Sequence, residues 1–401
     1  MAHRDTSEET SMDSNLSKRS SLISPSPTLA LDAKAKQMKA AGEDVISFCA
    51  GEPDFDTPQH IKDAAAKALA DNFTRYTPPS GIPELRKAIA QKFALDNGIR
   101  YEPSEVIVSC GAKHSCYNVF LALCDEGDEV IIPAPYWVSY PEMARLVGAE
   151  PFIVPTTEQS GFKLTPDLFR EAISPSTKLL VLCSPSNPTG AVYTREELEA
   201  LVEVAAEDDI YILSDEIYEK LIYGGATHVS PASLSDEARR LVITVNGFSK
   251  SFAMTGWRLG YLGAPEPIAR AIDSIQSHAT SNPTSFAQKG ALAALQGGQD
   301  FLAQWVLEFD RRRQKFTKGL NAIEGVRCPE SLGAFYLFPN ISSFGLTSAE
   351  FCQRLLEQEK MAVVPGSAFG AEGCIRLSYA CSLEQIENGR ARLDKFCATL
   401  K

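Results

Sequence analysis

Between residues 105 and 262 the chain alternates short β-branched runs with longer amphipathic stretches, and this alternation restricts the fold more than any other feature. Seven runs read as strands: 105–109, 129–133, 151–155, 178–183, 210–214, 241–246 and 259–262. Helical patterns, such as 82–97 and 195–206, fill most of the gaps. Strands that alternate with helices build βαβ units, so the expected class is α/β, a largely parallel sheet between helices. In such sheets ligands bind at the carboxyl ends of the strands, and functional side chains are expected just after them. Beyond about Asp300 the texture changes. Long helical stretches cover 301–323, 348–359 and 383–400, with short strand-like pieces at 334–338 and 374–377. This reads as a second, α+β domain.

The chain has 401 residues, 44% hydrophobic and 22% charged, enough for two domains with buried cores. No apolar run approaches the roughly 20 residues that cross a membrane. A net charge of −12 argues against general nucleic-acid binding, yet leaves room for a local basic pocket. The ten cysteines form no CxxC pair, which disfavours zinc and thioredoxin-like chemistry, so no metal site is expected. They read as buried free thiols of a reducing compartment. The N-terminal segment is polar and lacks the apolar centre of a signal peptide. Its acids Asp5, Glu8, Glu9 and Asp13 count against a transit peptide. A disordered tail on a cytoplasmic protein is the expectation.

Candidate chemistry begins at 246–261, NGFSKSFAMTGWRLGY. A strand leads into Gly247, Ser249 and Lys250, and Arg258 follows eight residues later. A lysine desolvated at a strand end has a lowered pKa and a nucleophilic amine. A guanidinium nearby can grip a phosphate with its planar fork. In SDEIYEKLIY, 214–223, Asp215 follows a strand at once and Tyr218 lies three residues on. Asp215 reads alone as a helix cap, or, beside the lysine, as the partner of a protonated ring nitrogen. In CSPSNPTGAVY, 183–193, Asn187 can donate an amide, and the bonds Ser184–Pro185 and Asn187–Pro188 are candidates for cis geometry. Alone this is a proline-rich turn. The strand–glycine–helix reading of 105–120 offers backbone N–H groups near Gly111, Ala112 and Lys113 to an anion. Trp137 follows another strand, where an indole can stack on a ring or simply fill a core. Gly51, in FCAGEPDFDTP, lets a ligand approach the backbone. Arg376, in CIRLSYA, suits a substrate carboxylate or an ordinary surface ion pair.

Taken together, GEPDFDTP, YWVSYPEM, SPSNPTGAVY, SDEIYE and KSFAMTGWRLGY resemble the class I/II aminotransferases that use pyridoxal 5′-phosphate, fold type I. Within them the chain is similar to the bacterial-type aspartate aminotransferases, a branch that includes aspartate/prephenate aminotransferases. The resemblance runs from about Ser24 to the C-terminus. It implies a mostly parallel seven-stranded sheet in a large domain, 59–299, and a small domain made of 300–401 with a contribution from 24–58, after a tail over 1–23. It implies that Lys250 carries the cofactor covalently and moves the substrate proton. Asp215 would pair with the ring nitrogen, and Asn187 and Tyr218 would bond the phenolic oxygen. Trp137 would stack on the ring. Arg258, Ser249 and the 111–113 backbone would hold the phosphate, with Tyr76 reaching in from a partner subunit of a homodimer. Arg376, beside Gly51, would bind the α-carboxylate. Lys113 would favour dicarboxylic substrates, and Ser26 and Thr28 match nearby hydroxyl positions.

The implied reaction is ping-pong transfer from L-aspartate to a 2-oxo acid such as 2-oxoglutarate, with an aromatic amino acid (tyrosine or phenylalanine) or prephenate as the alternative substrate. Two departures stand out. Ser24 lies where members with prephenate activity carry a basic residue, and Gly247 lies where some relatives carry a phosphate-binding serine. A β-lyase or synthase on the same scaffold is the second reading. A PLP-fold effector domain is disfavoured because no DNA-binding module precedes the fold. Neither GxxxxGK nor GxGxxG occurs.

Overall fold

The computed structural model describes residues 16–25 and 27–400. Seven strands form one sheet: β1 (Val106–Ser109), β2 (Glu129–Ala134), β3 (Glu150–Pro155), β4 (Thr177–Cys183), β5 (Tyr211–Asp215), β6 (Val242–Gly247) and β7 (Gly260–Gly263). Every end lies within one residue of the run expected from sequence. The spatial order is β1-β7-β6-β5-β4-β2-β3.

Side-chain alternation sends neighbouring strand residues to opposite faces. Val106, Ile131, Leu180, Ile212 and Val242 join one apolar core, whereas Ile107, Val130, Leu179, Leu213 and Ile243 join another. Both faces are therefore covered, which explains why these strands read as continuous apolar runs. The sheet is parallel except at β7, which runs antiparallel to both β6 and β1. This exception positions the site. Gly260, the first residue of β7, pairs with Ser109 at the end of β1 and with Gly247 at the end of β6. The segment that precedes β7, with Arg258 in it, thus arrives at the same edge as the carboxyl ends of the parallel strands.

A third core gathers the long helices Asp300–Asn321 and Leu383–Ala398 with the short strands Tyr336–Leu337 and Ile375–Ser378. Ile46 and Phe48 belong to it, because Ile46–Ser47 pairs in parallel with Met361–Ala362. Phe48 fits against Gly389, where a Cβ would lie 2.3 Å from its ring. The helical pattern over 82–97 is helix Pro83–Lys92 followed by a wider turn, Phe93–Asn97, which ends at Gly98 with φ 70°. Of the tail expected over 1–23, residues 16–23 are described, and Lys18–Ser21 make one exposed helical turn. Among the described residues no disulfide joins any of the ten cysteines. Seven are buried; Cys110, Cys183 and Cys381 are half-buried.

Candidate active site

A cavity of about 450 Å³ opens at the carboxyl ends of the strands, with the short-strand core as its opposite wall. Lys250 lies three residues past β6. Phe248, fully buried in the sheet core, anchors the turn between them. The Lys250 ammonium donates to the Gly51 carbonyl and lies 5.7 Å and 5.8 Å from the ring centroids of Tyr218 and Phe335. Burial lowers its pKa to about 8; Glu52 and Asp215 oppose the shift, while Arg376 and Arg258 assist it. An amine so placed is a nucleophile near neutral pH.

Asp215 is the last residue of β5 and is almost fully buried. Its Oδ2 accepts from the Tyr140 hydroxyl at 2.7 Å, and its Oδ1 accepts from the Ile217 backbone N–H at 3.2 Å. Burial raises its pKa, and these two hydrogen bonds work against that rise. No helix follows to be capped, since 217–220 form a turn, and the acid lines the cavity. The next residue, Glu216, does not line it; it accepts from Ser214 and Ser230 and contacts His228 in a separate buried network.

Ala112, Lys113 and Arg258 line the same cavity as Lys250. Gly111 begins helix Ala112–Leu123 with φ 91°, a conformation that suits glycine alone. The first amides of that helix have no intrahelical acceptor. A Cβ on Gly111 would lie 2.4 Å from Arg258 Nη2, so the guanidinium rests directly on the turn. Arg258 itself has φ 54°, and its Nη1 donates to the Thr255 carbonyl at 2.8 Å. A non-glycine residue in that region is strained, and such strain concentrates at functional sites. A Cβ at Gly260 would lie 2.1 Å from the Ala112 nitrogen. Gly260→Ala is therefore expected to lower stability by roughly 3 kcal/mol, seen as a lower Tm in a thermal melt; an unchanged melt would contradict this close approach. Ser249 is buried at the cavity wall. At Gly247 a Cβ would meet Gly260 Cα and Ile217 Cδ1, each at 3.1 Å, which accounts for glycine in place of serine.

Arg376 comes from the short strand Ile375–Ser378. It is 3% exposed and makes no ion pair with a described carboxylate. Its Nη1 donates to Asn187 Oδ1 at 3.0 Å and its Nη2 to the Cys49 carbonyl at 2.8 Å. Its Nε has no partner among the described residues. The surface ion-pair reading therefore fails. With its oxygen turned to Arg376, Asn187 keeps its NH₂ as the free end of the amide. Both Ser184–Pro185 and Asn187–Pro188 are cis. Tyr218 is buried, and its hydroxyl bonds that of Tyr336 at 2.8 Å. The Tyr336 hydroxyl lies 3.2 Å from where a Cβ on Gly51 would be.

Lys113 Nζ lies 4.8 Å over the Trp137 ring, and burial, with Arg258, lowers its pKa. Trp137 lines the cavity and meets Tyr140 edge-on at 5.2 Å and 81°. Thr28 lines the mouth; Ser26 lies outside the described residues. Tyr76 is not brought to this cavity and is 91% exposed. Sequence reasoning missed Tyr140, Cys116, Tyr336 and the Thr255–Glu52 hydrogen bond of 3.0 Å. Tyr140 lay within YWVSYPEM, three residues past Trp137, and its backbone N–H donates to the Trp137 carbonyl at 3.1 Å across the turn that enters helix Ser139–Val147.

Residues 43–393 match the family model for aminotransferases of class I and II. The chain belongs to this family. Aspartate aminotransferase of Geobacillus stearothermophilus is 52% identical over 95% of this chain and 98% of its own. A probable aspartate/prephenate aminotransferase of Aquifex aeolicus is 48% identical over 96% of this chain and 99% of its own. The structure of Thermus thermophilus aspartate aminotransferase with maleate superposes with a TM-score of 0.91 at 45% identity, covering 95% of this chain and 99% of that one. The sheet, with helices on both faces, is the α/β architecture of this aminotransferase family.

Proposed function

We propose that this aminotransferase moves the amino group of L-aspartate to a 2-oxo acid such as 2-oxoglutarate by a ping-pong mechanism, with pyridoxal 5′-phosphate carried on Lys250. The observation that carries the substrate reading is a pair of cations in one cavity. Lys113 and Arg376 both line it, and neither is ion-paired to a described carboxylate. A dicarboxylic amino acid would satisfy both. The Thermus relative was solved with maleate, itself a dicarboxylate.

The cavity fits the cofactor. The cradle of Gly111, Ala112, Lys113, Ser249 and Arg258 suits a phosphate dianion; Gly260 and Gly111 are the residues at which a Cβ would close it. Asp215 suits a protonated ring nitrogen, Trp137 a flat ring, and Asn187 with Tyr218 a phenolic oxygen. When bound, the cofactor supplies an electron sink that stabilises charge at the substrate Cα. The protein does the rest. Arg376 holds the α-carboxylate, with the Asn187 oxygen and the Cys49 carbonyl fixing its guanidinium. Lys250, next to the Gly51 carbonyl, takes the proton from Cα and returns it on the other side of the exchange.

Prephenate is a poor fit as acceptor: Ser24 offers no cation, and its backbone N–H is bound to the acid Glu142 at 3.2 Å. We place the small domain at 300–401 with 24–58, and the large domain at 59–299. We infer a homodimer in which the exposed Tyr76 serves the partner's site. Among the described residues no helix is long and apolar enough to cross a membrane.

An absorbance spectrum tests the cofactor. A band that shifts on addition of L-aspartate and returns with 2-oxoglutarate is expected; no band after adding PLP would overturn the reading. Lys113→Ala tests the substrate. It is expected to lower kcat/KM for aspartate about 30-fold relative to tyrosine, the size of one lost charge-assisted contact. An unchanged ratio would sink the distal-carboxylate role.

A further inference from the structure

Asp215 is held by side chains that the roles above leave without a task. Its Oδ2 accepts from the Tyr140 hydroxyl at 2.7 Å and from the Cys116 thiol at 3.8 Å. Its Oδ1 accepts from the Ile217 N–H at 3.2 Å. Cys116 is 0% exposed and Tyr140 is 1% exposed. A carboxylate offers about four lone-pair directions. Three are taken by described residues, which leave one, on Oδ1. Tyr140 also packs edge-on against Trp137. One phenol thus touches both the wall for the ring and the acid for its nitrogen.

We propose that Tyr140 and Cys116 are positioning residues that keep Asp215 an ionised acceptor with a single free lone pair for the ring nitrogen of the cofactor. The inference rests on the PLP reading above. Its physical basis is the conflict at Asp215. Burial favours the neutral acid, and a neutral acid keeps a carbonyl acceptor but has no charge to hold a ring nitrogen protonated. Donors on Oδ2 favour the charged form. Both donors stay protonated, because burial, reinforced by the Asp215 charge, pushes the Tyr140 phenol and the Cys116 thiol well above their ordinary values. The other titratable neighbours add no donor of this kind: Glu216 repels the charge on Asp215. Cys183 makes its thiol contact with the Pro185 carbonyl at 3.5 Å.

The test compares the Kd for pyridoxal 5′-phosphate with that for its 1-deaza analogue, in which a C–H replaces the ring nitrogen. The variants are Tyr140→Phe, Cys116→Ala and Cys116→Ser, measured on full-length apoprotein by equilibrium dialysis. Tyr140→Phe is expected to weaken PLP binding about tenfold, and Cys116→Ala about threefold, since a thiol is the weaker donor. Cys116→Ser restores a donor and is expected to bind PLP within about twofold of the unmodified chain. Affinity for the deaza analogue should stay within about twofold in all three, because nothing remains for Asp215 to hold. Equal losses for both ligands would show that these side chains only shape the cavity and would overturn the proposal, as would no loss for either. If the unmodified chain itself fails to bind PLP, the cofactor reading falls and takes the proposal with it.

Discussion

Lys250→Ala is expected to lower kcat by about 10⁴-fold or more while the chain stays folded. The loss is large because the proposed function gives one amine two tasks: carrying the cofactor and moving the proton at Cα. Its neighbours explain the reactivity. Desolvation brings the pKa to about 8, and two nearby guanidinium groups push the same way. In the apoprotein the rate of covalent attachment of PLP should therefore rise about tenfold per pH unit up to about 8 and level off above it. A stopped-flow series across pH reads this directly. A rate still climbing steeply at pH 10 would mean an ordinary solvated lysine.

The same shift predicts stability, with the opposite sign from a salt-bridged lysine. The folded pKa, about 8, lies below the unfolded value near 10.4. Between these values the unfolded chain holds a proton that the folded chain has released, so apoprotein stability rises with pH across that window. Below about 8 the folded chain carries the full cost of a desolvated ammonium. Lys250→Ala removes that cost, and its apoprotein should melt at or above the unmodified Tm at pH 7. Inactivity with a preserved or higher Tm separates lost chemistry from lost folding; a much lower Tm would contradict the desolvation account.

Lys250 and Asp215 were legible because each sits at the end of a strand that announces itself by a β-branched run, and geometry then puts them at the ligand edge. Six of the seven strands were legible as apolar runs because they are buried on both faces, whereas the edge strand β3 has exposed residues such as Phe152. The antiparallel course of β7 was not inferred, although no helix lies between β6 and β7 and a parallel connection needs a long crossover. That course is what delivers Arg258 to the cradle. Tyr336 left no local signal at all: its contact with Tyr218 spans 118 residues and is created by packing one core on another. Cys116 looked like core filling, and it is buried, but its thiol meets an acid 99 residues away. Local pattern gives strand ends; it does not give the partners that long-range packing brings to them.

Arg376→Ala is the other large effect, and its pattern across substrates matters more than its size. Arg376 is a buried cation without a described counter-ion, held by two oxygen acceptors and lying 4.5 Å over the Tyr336 ring and 5.1 Å over Phe369. Burying a charge is costly unless it is paired, so a carboxylate entering here gains more than it would at the surface. Truncation should lower kcat/KM about 10³-fold, the range measured when one member of a buried charge pair is removed. Because every donor and every acceptor carries the same α-carboxylate, aspartate, tyrosine and 2-oxoglutarate should all suffer alike, whereas Lys113→Ala singles out the dicarboxylates. Arg376→Lys restores charge but not the fork, and should recover only part of the loss. The Kd for PLP should move far less than kcat/KM, since the cradle at Gly111 and Arg258 lies on other elements and Arg376 touches the proposed cofactor set only through Asn187. A loss confined to aspartate would assign Arg376 to the distal carboxylate instead, and the two cations would have to exchange roles.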